Sequence, residues 1–292
     1  MSEGMRDSQS VQVPIRGLNY HCRTWGDESS PRLFLLHGFQ DVSASWQFTV
    51  DAFTRDWYVI APDWRGYGLS DSVDAGTYWF PDLVADLDAL LDHFEPENKA
   101  MLVGHSMGAN AAAIYAGVVP GRIEKFINVE GIGGAPSSVD ELPRRYAKWI
   151  EQSKRGDRQR PYADFEDFAE RMMSENPRLT PERARFLVRH WGQEEADGTI
   201  IRRADPAHSH VKPTLWRLDE AMTCWRRITA PMLFVEGDDS RIINAMRGQI
   251  EGYEERLAAF ETLVDIARIG DAGHNIHHDQ PEKLAAAIEG FL

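Results

Sequence analysis

The sequence predicts an α/β protein: a mostly parallel central sheet flanked by helices, interrupted by a helical cap insertion. Three observations carry this. Short continuous apolar runs, of the kind buried on both faces of a parallel sheet, alternate with segments of helical period. One such run, Met101-Leu102-Val103, leads into Gly104-His105-Ser106-Met107-Gly108 and then into the alanine-rich stretch Ala109 to Tyr115, a strand–turn–helix sequence. Between about Gly134 and Thr229 the strand rhythm stops, and arginine- and aromatic-rich helical segments take its place.

Taken in order, Val11 to Ile15 and Leu18 to Trp25 are β-prone runs about Gly17 and read as an N-terminal hairpin. Leu33-Phe34-Leu35-Leu36 is the next strand and ends in His37-Gly38-Phe39. Trp57 to Ala61 follows and ends in Pro62-Asp63-Trp64-Arg65-Gly66. Phe80 to Phe94 and Met107 to Val118 are the crossover helices, and Phe126 to Val129 is a further strand. The insertion holds helices over Glu141 to Glu151, Phe165 to Ser174 and Pro181 to Trp191. Ser138 or Asp140 caps the first, and Thr180-Pro181 supplies cap and first position of the third. Met232 to Val235 and Leu263 to Ile269 resume the sheet, and Pro281 to Leu292 closes the chain as a helix with proline at its start. The expected organisation is a core of residues 1–133 and 230–292 with the cap at 134–229.

The chain has 292 residues, long enough to bury a substantial core. Lys and Arg number 32 against 46 Asp and Glu, a net charge of −14, which repels nucleic-acid phosphates and anionic membranes. Cys22 and Cys224 lie far apart and form neither a C-x-x-C pair nor a disulfide framework, so a reducing compartment is expected. Met1 to Gln12 is polar, and no stretch reaches the roughly 18 apolar residues of a membrane span. These features point to a soluble cytoplasmic protein. A homodimer is compatible with the sequence.

The pentapeptide at 104–108 fits G-x-S-x-G. A turn that tight strains the backbone of its central serine and leaves no room for side chains two residues away, and it lifts the Ser106 oxygen clear of the sheet. A serine hydroxyl needs a base, and ten histidines compete. His274 follows the last strand and precedes the closing helix, which sets it at the carboxyl edge of the sheet where catalytic groups of parallel sheets collect. His274, His277 and His278 together make a weak zinc signature, because no ligating carboxylate stands at a clear spacing, and neither metal nor cofactor is expected.

His37-Gly38-Phe39, Asp63-Trp64-Arg65-Gly66-Tyr67-Gly68-Leu69-Ser70, the serine turn and Ala272-Gly273-His274 together resemble the α/β-hydrolase fold superfamily over nearly the whole chain outside the cap. The resemblance implies an α/β-hydrolase fold and an oxyanion hole made by the backbone N–H groups of Phe39 and Met107, with His37 ordering its loop. Most members of the family place the triad acid three residues after a glycine that ends the strand following the cap. Here Glu236-Gly237-Asp238-Asp239-Ser240 sets Ser240 at that position, and Asp238 and Asp239 fall early. Glu130 ends an earlier strand, 24 residues after Ser106, a spacing that resembles haloalkane dehalogenases. Glu130 is the preferred acid and Asp239 the alternative.

The resulting expectation is a serine hydrolase of carboxylesterase type, acting on a small-molecule ester through an acyl-serine. Lactonase, perhydrolase or C–C bond hydrolase are alternatives, as is a non-catalytic member of the fold that binds a small ligand. Dehalogenases and epoxide hydrolases of the superfamily use an aspartate nucleophile, which Ser106 replaces. Asp41 and Trp46 are expected to shape the site entrance. The cap aromatics Tyr146, Trp149, Phe165, Phe168, Trp191, Trp216 and Trp225, with Met172 and Met173, line either an acyl pocket or the cap's own core. Arg144, Arg145, Arg202 and Arg203 either bind an acidic substrate or are solvated.

Overall fold

A computed structural model describes residues 4–73, 77–135, 137–154, 159–247 and 252–292. Residues 1–3 of the polar N-terminal stretch lie outside the described residues. The strands are β1 (Ser8–Ile15), β2 (Leu18–Trp25), β3 (Arg32–Leu36), β4 (Tyr58–Pro62), β5 (Ala100–His105), β6 (Ile123–Val129), β7 (Gly192–Glu194), β8 (Ile200–Arg202), β9 (Met232–Gly237) and β10 (Leu263–Ile269). The helices are α1 (Gln47–Asp51), α2 (Phe80–Phe94), α3 (Met107–Val118), α4 (Leu142–Lys154), α5 (Phe165–Glu175), α6 (Pro181–Trp191), α7 (Leu218–Trp225), α8 (Arg241–Met246), α9 (Tyr253–Ala258), α10 (Ile276–Asp279) and α11 (Pro281–Phe291).

Eight strands form one sheet in the order β1-β2-β4-β3-β5-β6-β9-β10. The hairpin β1–β2 joins antiparallel to β4, and every pairing from β4 to β10 is parallel. The apolar runs are central because alternate side chains fill both faces. Phe34 and Leu36 of β3, Leu102 of β5 and Phe126 of β6 pack on the side of α2 and α3, while Leu33, Leu35, Val103 and Ile127 pack on the side of α1 and α11. α3 approaches the sheet closely because its inner face is alanine, with Ala109, Ala111, Ala112, Ala113 and Ala116 all buried.

The segment between β6 and β9 holds α4 to α7 and the two-stranded β7–β8 ribbon, which the sequence reading did not anticipate. α5 and α6 bury Phe168, Ala169, Met172, Leu187, Val188 and Trp191 in a separate cluster. Val42 and Ala44, from the loop after β3, belong to the same cluster, so these helices sit directly over that loop. Asp164 and Thr180 cap them through side-chain oxygens that accept backbone N–H bonds. No helix among the described residues is long and apolar enough to cross a membrane.

Candidate active site

Ser106 stands between the end of β5 and the start of α3 with φ 49° and ψ −112°, a conformation that few non-glycine residues adopt. Two glycines permit it. A Cβ on Gly104 would lie 2.5 Å from Ala109 Cα, and one on Gly108 would lie 2.5 Å from the Leu36 carbonyl oxygen, so each is excluded by backbone. The strained residue is pinned at both ends: its N–H donates to Val129 O at 2.9 Å, and its carbonyl accepts from Asn110 N at 2.9 Å and Asn110 Nδ2 at 3.0 Å.

His274 sits on the loop between β10 and α10. Its Nε2 is 3.0 Å from Ser106 Oγ and its Nδ1 is 2.5 Å from Glu130 Oε2. Glu130 follows β6, itself at φ 57°, and its side chain is fully buried. Three donors converge on that carboxylate: Gly237 N at 2.8 Å on Oε1, and Ser240 Oγ at 2.6 Å with His274 Nδ1 on Oε2. The structure thus brings Ser106, His274 and Glu130 together. The alternatives point elsewhere, since Asp238 and Asp239 are exposed and the Asp239 carboxylate pairs with Arg178. Ser240, at the position where an aspartate was sought, instead donates to Glu130.

The loop after β3 borders the serine, and a Cβ on Gly38 would lie 3.3 Å from Ser106 Cβ. His37 is fully buried and orders this loop. Its Nε2 accepts from Trp64 N at 3.0 Å, which leaves Nδ1 as the donor to Gly38 O at 2.8 Å, and Trp64 Nε1 donates to His37 O at 3.0 Å. Burial holds the His37 ring below its ordinary pKa, in keeping with a neutral structural imidazole. Phe39 comes next, its side chain half exposed. Met107 opens α3, so its N–H is among the first four of a helix that have no intrahelical acceptor.

Asp41 and His277 were missed as partners because 236 positions separate them. His277 Nε2 lies 2.9 Å from Asp41 Oδ2, tying the loop after β3 to α10, which follows the loop that carries His274. Burial alone would push the Asp41 carboxyl up, but the hydrogen bond and charge of His277 hold it below the ordinary carboxylate range. His105 fills the space between them: its Nε2 meets His274 O at 2.9 Å, and its ring lies 4.8 Å from that of His274 and 4.5 Å from that of His277. Burial first, then the neighbouring histidines, put the His105 ring well below its ordinary pKa.

Two expectations need correction. Trp46 is fully buried against the His277 ring at 4.9 Å and borders no entrance, because its loop folds inward beneath α6. The histidine cluster does have a carboxylate beside it: ligand atoms of Asp41, His277 and His278, all buried, lie within 4.8 Å of one another, while His274 is turned away to Glu130. These are the residues whose chemistry fits a metal ion, although the Asp41–His277 bond already uses one atom of each.

Among the described residues, cavities open beside the loop after β3. One of about 200 Å³ is lined by Phe39, Asp41, Met172, Leu179, Trp191 and His278, among others. A second of about 360 Å³ lies beyond Gln40 and is lined mainly by polar side chains. Of the aromatics singled out in the insertion, Trp191 borders the first cavity. Phe168 and Trp225 are fully buried core, and Tyr146 is exposed.

A family model described as alpha/beta hydrolase family matches residues 33–287. A serine hydrolase-like protein of Danio rerio is 23% identical over 300 residues, spanning 98% of this chain and 89% of its own length. Epoxide hydrolase 4 of Mus musculus is 34% identical over 118 residues, which is 40% of this chain and 33% of that protein. Among solved structures, a thioesterase domain from the curacin biosynthetic pathway superposes with a TM-score of 0.86 at 22% identity, covering 97% of this chain and 99% of its own. E-2-(acetamidomethylene)succinate hydrolase does so with a TM-score of 0.77 at 22% identity, over 98% and 99% of the two chains. At these identities the superpositions speak for the fold alone.

Proposed function

Because the chain belongs to the alpha/beta hydrolase family, we propose that it is a serine hydrolase that cleaves carboxylic esters through an acyl-serine intermediate. The family match and the relatives support a hydrolase activity. One observation carries the finer reading: Ser106 Oγ, His274 and the buried Glu130 form a continuous hydrogen-bonded line, 3.0 Å then 2.5 Å, on a serine held in a strained turn. Epoxide hydrolases match only part of the chain, and the nucleophile position here holds a hydroxyl rather than a carboxylate.

In the proposed reaction Ser106 Oγ attacks the ester carbonyl while His274 Nε2 takes its proton. Glu130 keeps the proton of the neutral ring on Nδ1 and stabilises the imidazolium that forms. The backbone N–H groups of Phe39 and Met107 receive the carbonyl oxygen as it becomes an oxyanion, each worth roughly 3 kcal/mol by the usual cost of deleting such a donor. The tetrahedral adduct collapses as His274 returns the proton to the leaving alkoxide, so the C–O bond to the alcohol breaks and acyl-Ser106 remains. Water then attacks with His274 as base, and the acid leaves. No step calls for a cofactor.

Labelling with a fluorophosphonate tests this reading. The native protein should be phosphonylated at Ser106 and lose esterase activity, and Ser106→Ala should not react. Equal labelling of the alanine variant would exclude it. A panel of p-nitrophenyl esters of rising acyl length, run beside lactones, then separates open-chain ester from lactone preference.

A further inference from the structure

Of the four arginines that the sequence singled out in the insertion, the structure separates one from the rest. Arg145 donates to Lys212 O, Arg203 to Gly192 O, and Arg144 is exposed. Arg202, at the end of β8, lines both the 200 Å³ and the 360 Å³ cavities beside the loop after β3. Its side chain is 79% shielded from solvent, and its guanidinium carbon lies 5.1 Å from the centre of the Phe168 ring and 5.4 Å from that of Trp191. Gln159 holds its backbone at both ends, accepting from Arg202 N at 2.8 Å and donating to Arg202 O at 2.9 Å. The head group spends one donor, Nε, on Tyr162 Oη at 3.1 Å. Among the described residues its nearest carboxylate is Glu175, at 4.0 Å, too long for a hydrogen bond.

The 360 Å³ cavity onto which Arg202 opens holds a second arginine, Arg160, together with Gln40, Gln152 and Gln159, and among the described residues neither Asp nor Glu lines it. In a chain of net charge −14 this is a local reversal of sign. Long-range repulsion by the acidic surface is screened within about 8 Å at physiological salt, so the local cations decide what the cavity accepts. Gln40 links the cavity to the nucleophile. It lies two residues beyond Gly38, which abuts Ser106, so the cavity rim is on the order of 10 Å from the serine along the chain. A held, partly desolvated guanidinium whose two NH2 groups make no hydrogen bond among the described residues matches a carboxylate in fork geometry.

We propose that the ester substrate carries a free carboxylate, bound by Arg202 in this cavity while its ester group lies at Ser106. The proposal rests on the serine-hydrolase reading. Specificity then comes from charge: the monoester of a dicarboxylic acid is taken in preference to the neutral diester of the same length.

The test is kcat/KM for monoethyl adipate against diethyl adipate, followed by acid release. The native protein should favour the monoester at least about tenfold, the usual worth of one well-made charged contact. Arg202→Gln should bring the ratio to about one, and Arg202→Lys should retain part of it. A native preference for the diester, or an undiminished ratio in Arg202→Gln, would overturn the proposal. Should the variants misfold, the native protein still decides. Adipate should slow fluorophosphonate labelling of Ser106 where adipamide does not, and equal effects of the two would overturn the proposal. Turnover of both esters with Ser106 unlabelled in all conditions would remove the serine reading instead, and the native ester ratio would still judge the carboxylate preference.

Discussion

Replacing Glu130 by Gln probes the buried carboxylate on which three donors converge. Oε1 accepts from Gly237 N, and Oε2 accepts from Ser240 Oγ and His274 Nδ1. A glutamine amide offers one accepting oxygen and one NH2, so at least one of the three donors must meet the NH2 and either lose its bond or turn acceptor. If the NH2 turns to His274, Nδ1 becomes the acceptor and the proton moves to Nε2, the nitrogen that faces Ser106. If the oxygen stays there, the imidazolium still loses the opposing charge. Comparable acid-to-amide changes in serine–histidine–acid triads cost about 10⁴ in rate. A loss of 10³ to 10⁴ in kcat/KM for p-nitrophenyl butyrate is therefore expected, or about 4 to 5.5 kcal/mol of transition-state stabilisation. Asp239→Asn touches only an exposed pair with Arg178 and should stay within about twofold of native activity. Assays at several pH values, with circular dichroism to check folding, make the comparison. A Glu130→Gln enzyme that keeps more than a tenth of native activity, or an Asp239→Asn enzyme that falls as far, would refute the reasoning.

Ser240→Ala removes a donor from buried Glu130 and the oxygen that caps α8, where Ile243 N lies 3.4 Å from Ser240 Oγ. Stability should drop by about 1 to 2 kcal/mol in urea unfolding and kcat by roughly tenfold, and a variant unchanged in both would contradict the assigned hydrogen bond. Burial pushes His278 and His208 down from the ordinary imidazole value to about 3 each. Both should stay neutral in the folded protein while the unfolded chain takes protons below about 6.5. Their contribution is present in full above that pH and is lost as pH falls toward 3, by at most about 1.4 kcal/mol per unit for each group. The urea midpoint should fall between pH 7 and pH 5, and His208→Gln should flatten the fall. A midpoint constant over that range would contradict these buried neutral rings.

What could be read in the sequence divides by the range of the interactions that fix it. Strand runs such as Leu33 to Leu36 were legible because both faces of a parallel strand are apolar, and α2 and α3 because their period is intrinsic to a single segment. The β7–β8 ribbon was not, since Gly192-Gln193-Glu194 has no strand pattern, and the pairing to Ile200–Arg202 is shared with a bridge from Ile200 to Tyr162 that lies 38 positions away. In the site, Ser106 and His274 carried local signals, a glycine-flanked turn and a place after the last strand. Glu130 was legible only by counting forward from Ser106, and the role of Ser240 as its hydrogen-bond donor had no local signal at all. Trp46 and the Asp41–His277 pair show the same limit. Whether a loop faces inward, and what its aspartate meets 236 residues later, is decided by how α6 and α10 pack. Arginines 144, 145, 202 and 203 look equivalent as letters, and only their partners and burial distinguish Arg202.

The central claim is that Ser106 becomes acylated in turnover. It is tested most directly by mixing the enzyme with excess p-nitrophenyl acetate, quenching in acid within the first turnovers, and weighing the peptides. The account predicts one acetyl group on the peptide carrying Ser106, appearing with a burst of nitrophenol, and the loss of both in His274→Ala, which has lost the base for the serine's attack. Turnover with every peptide at its unmodified mass, or an acetyl group elsewhere with Ser106 untouched, would contradict it.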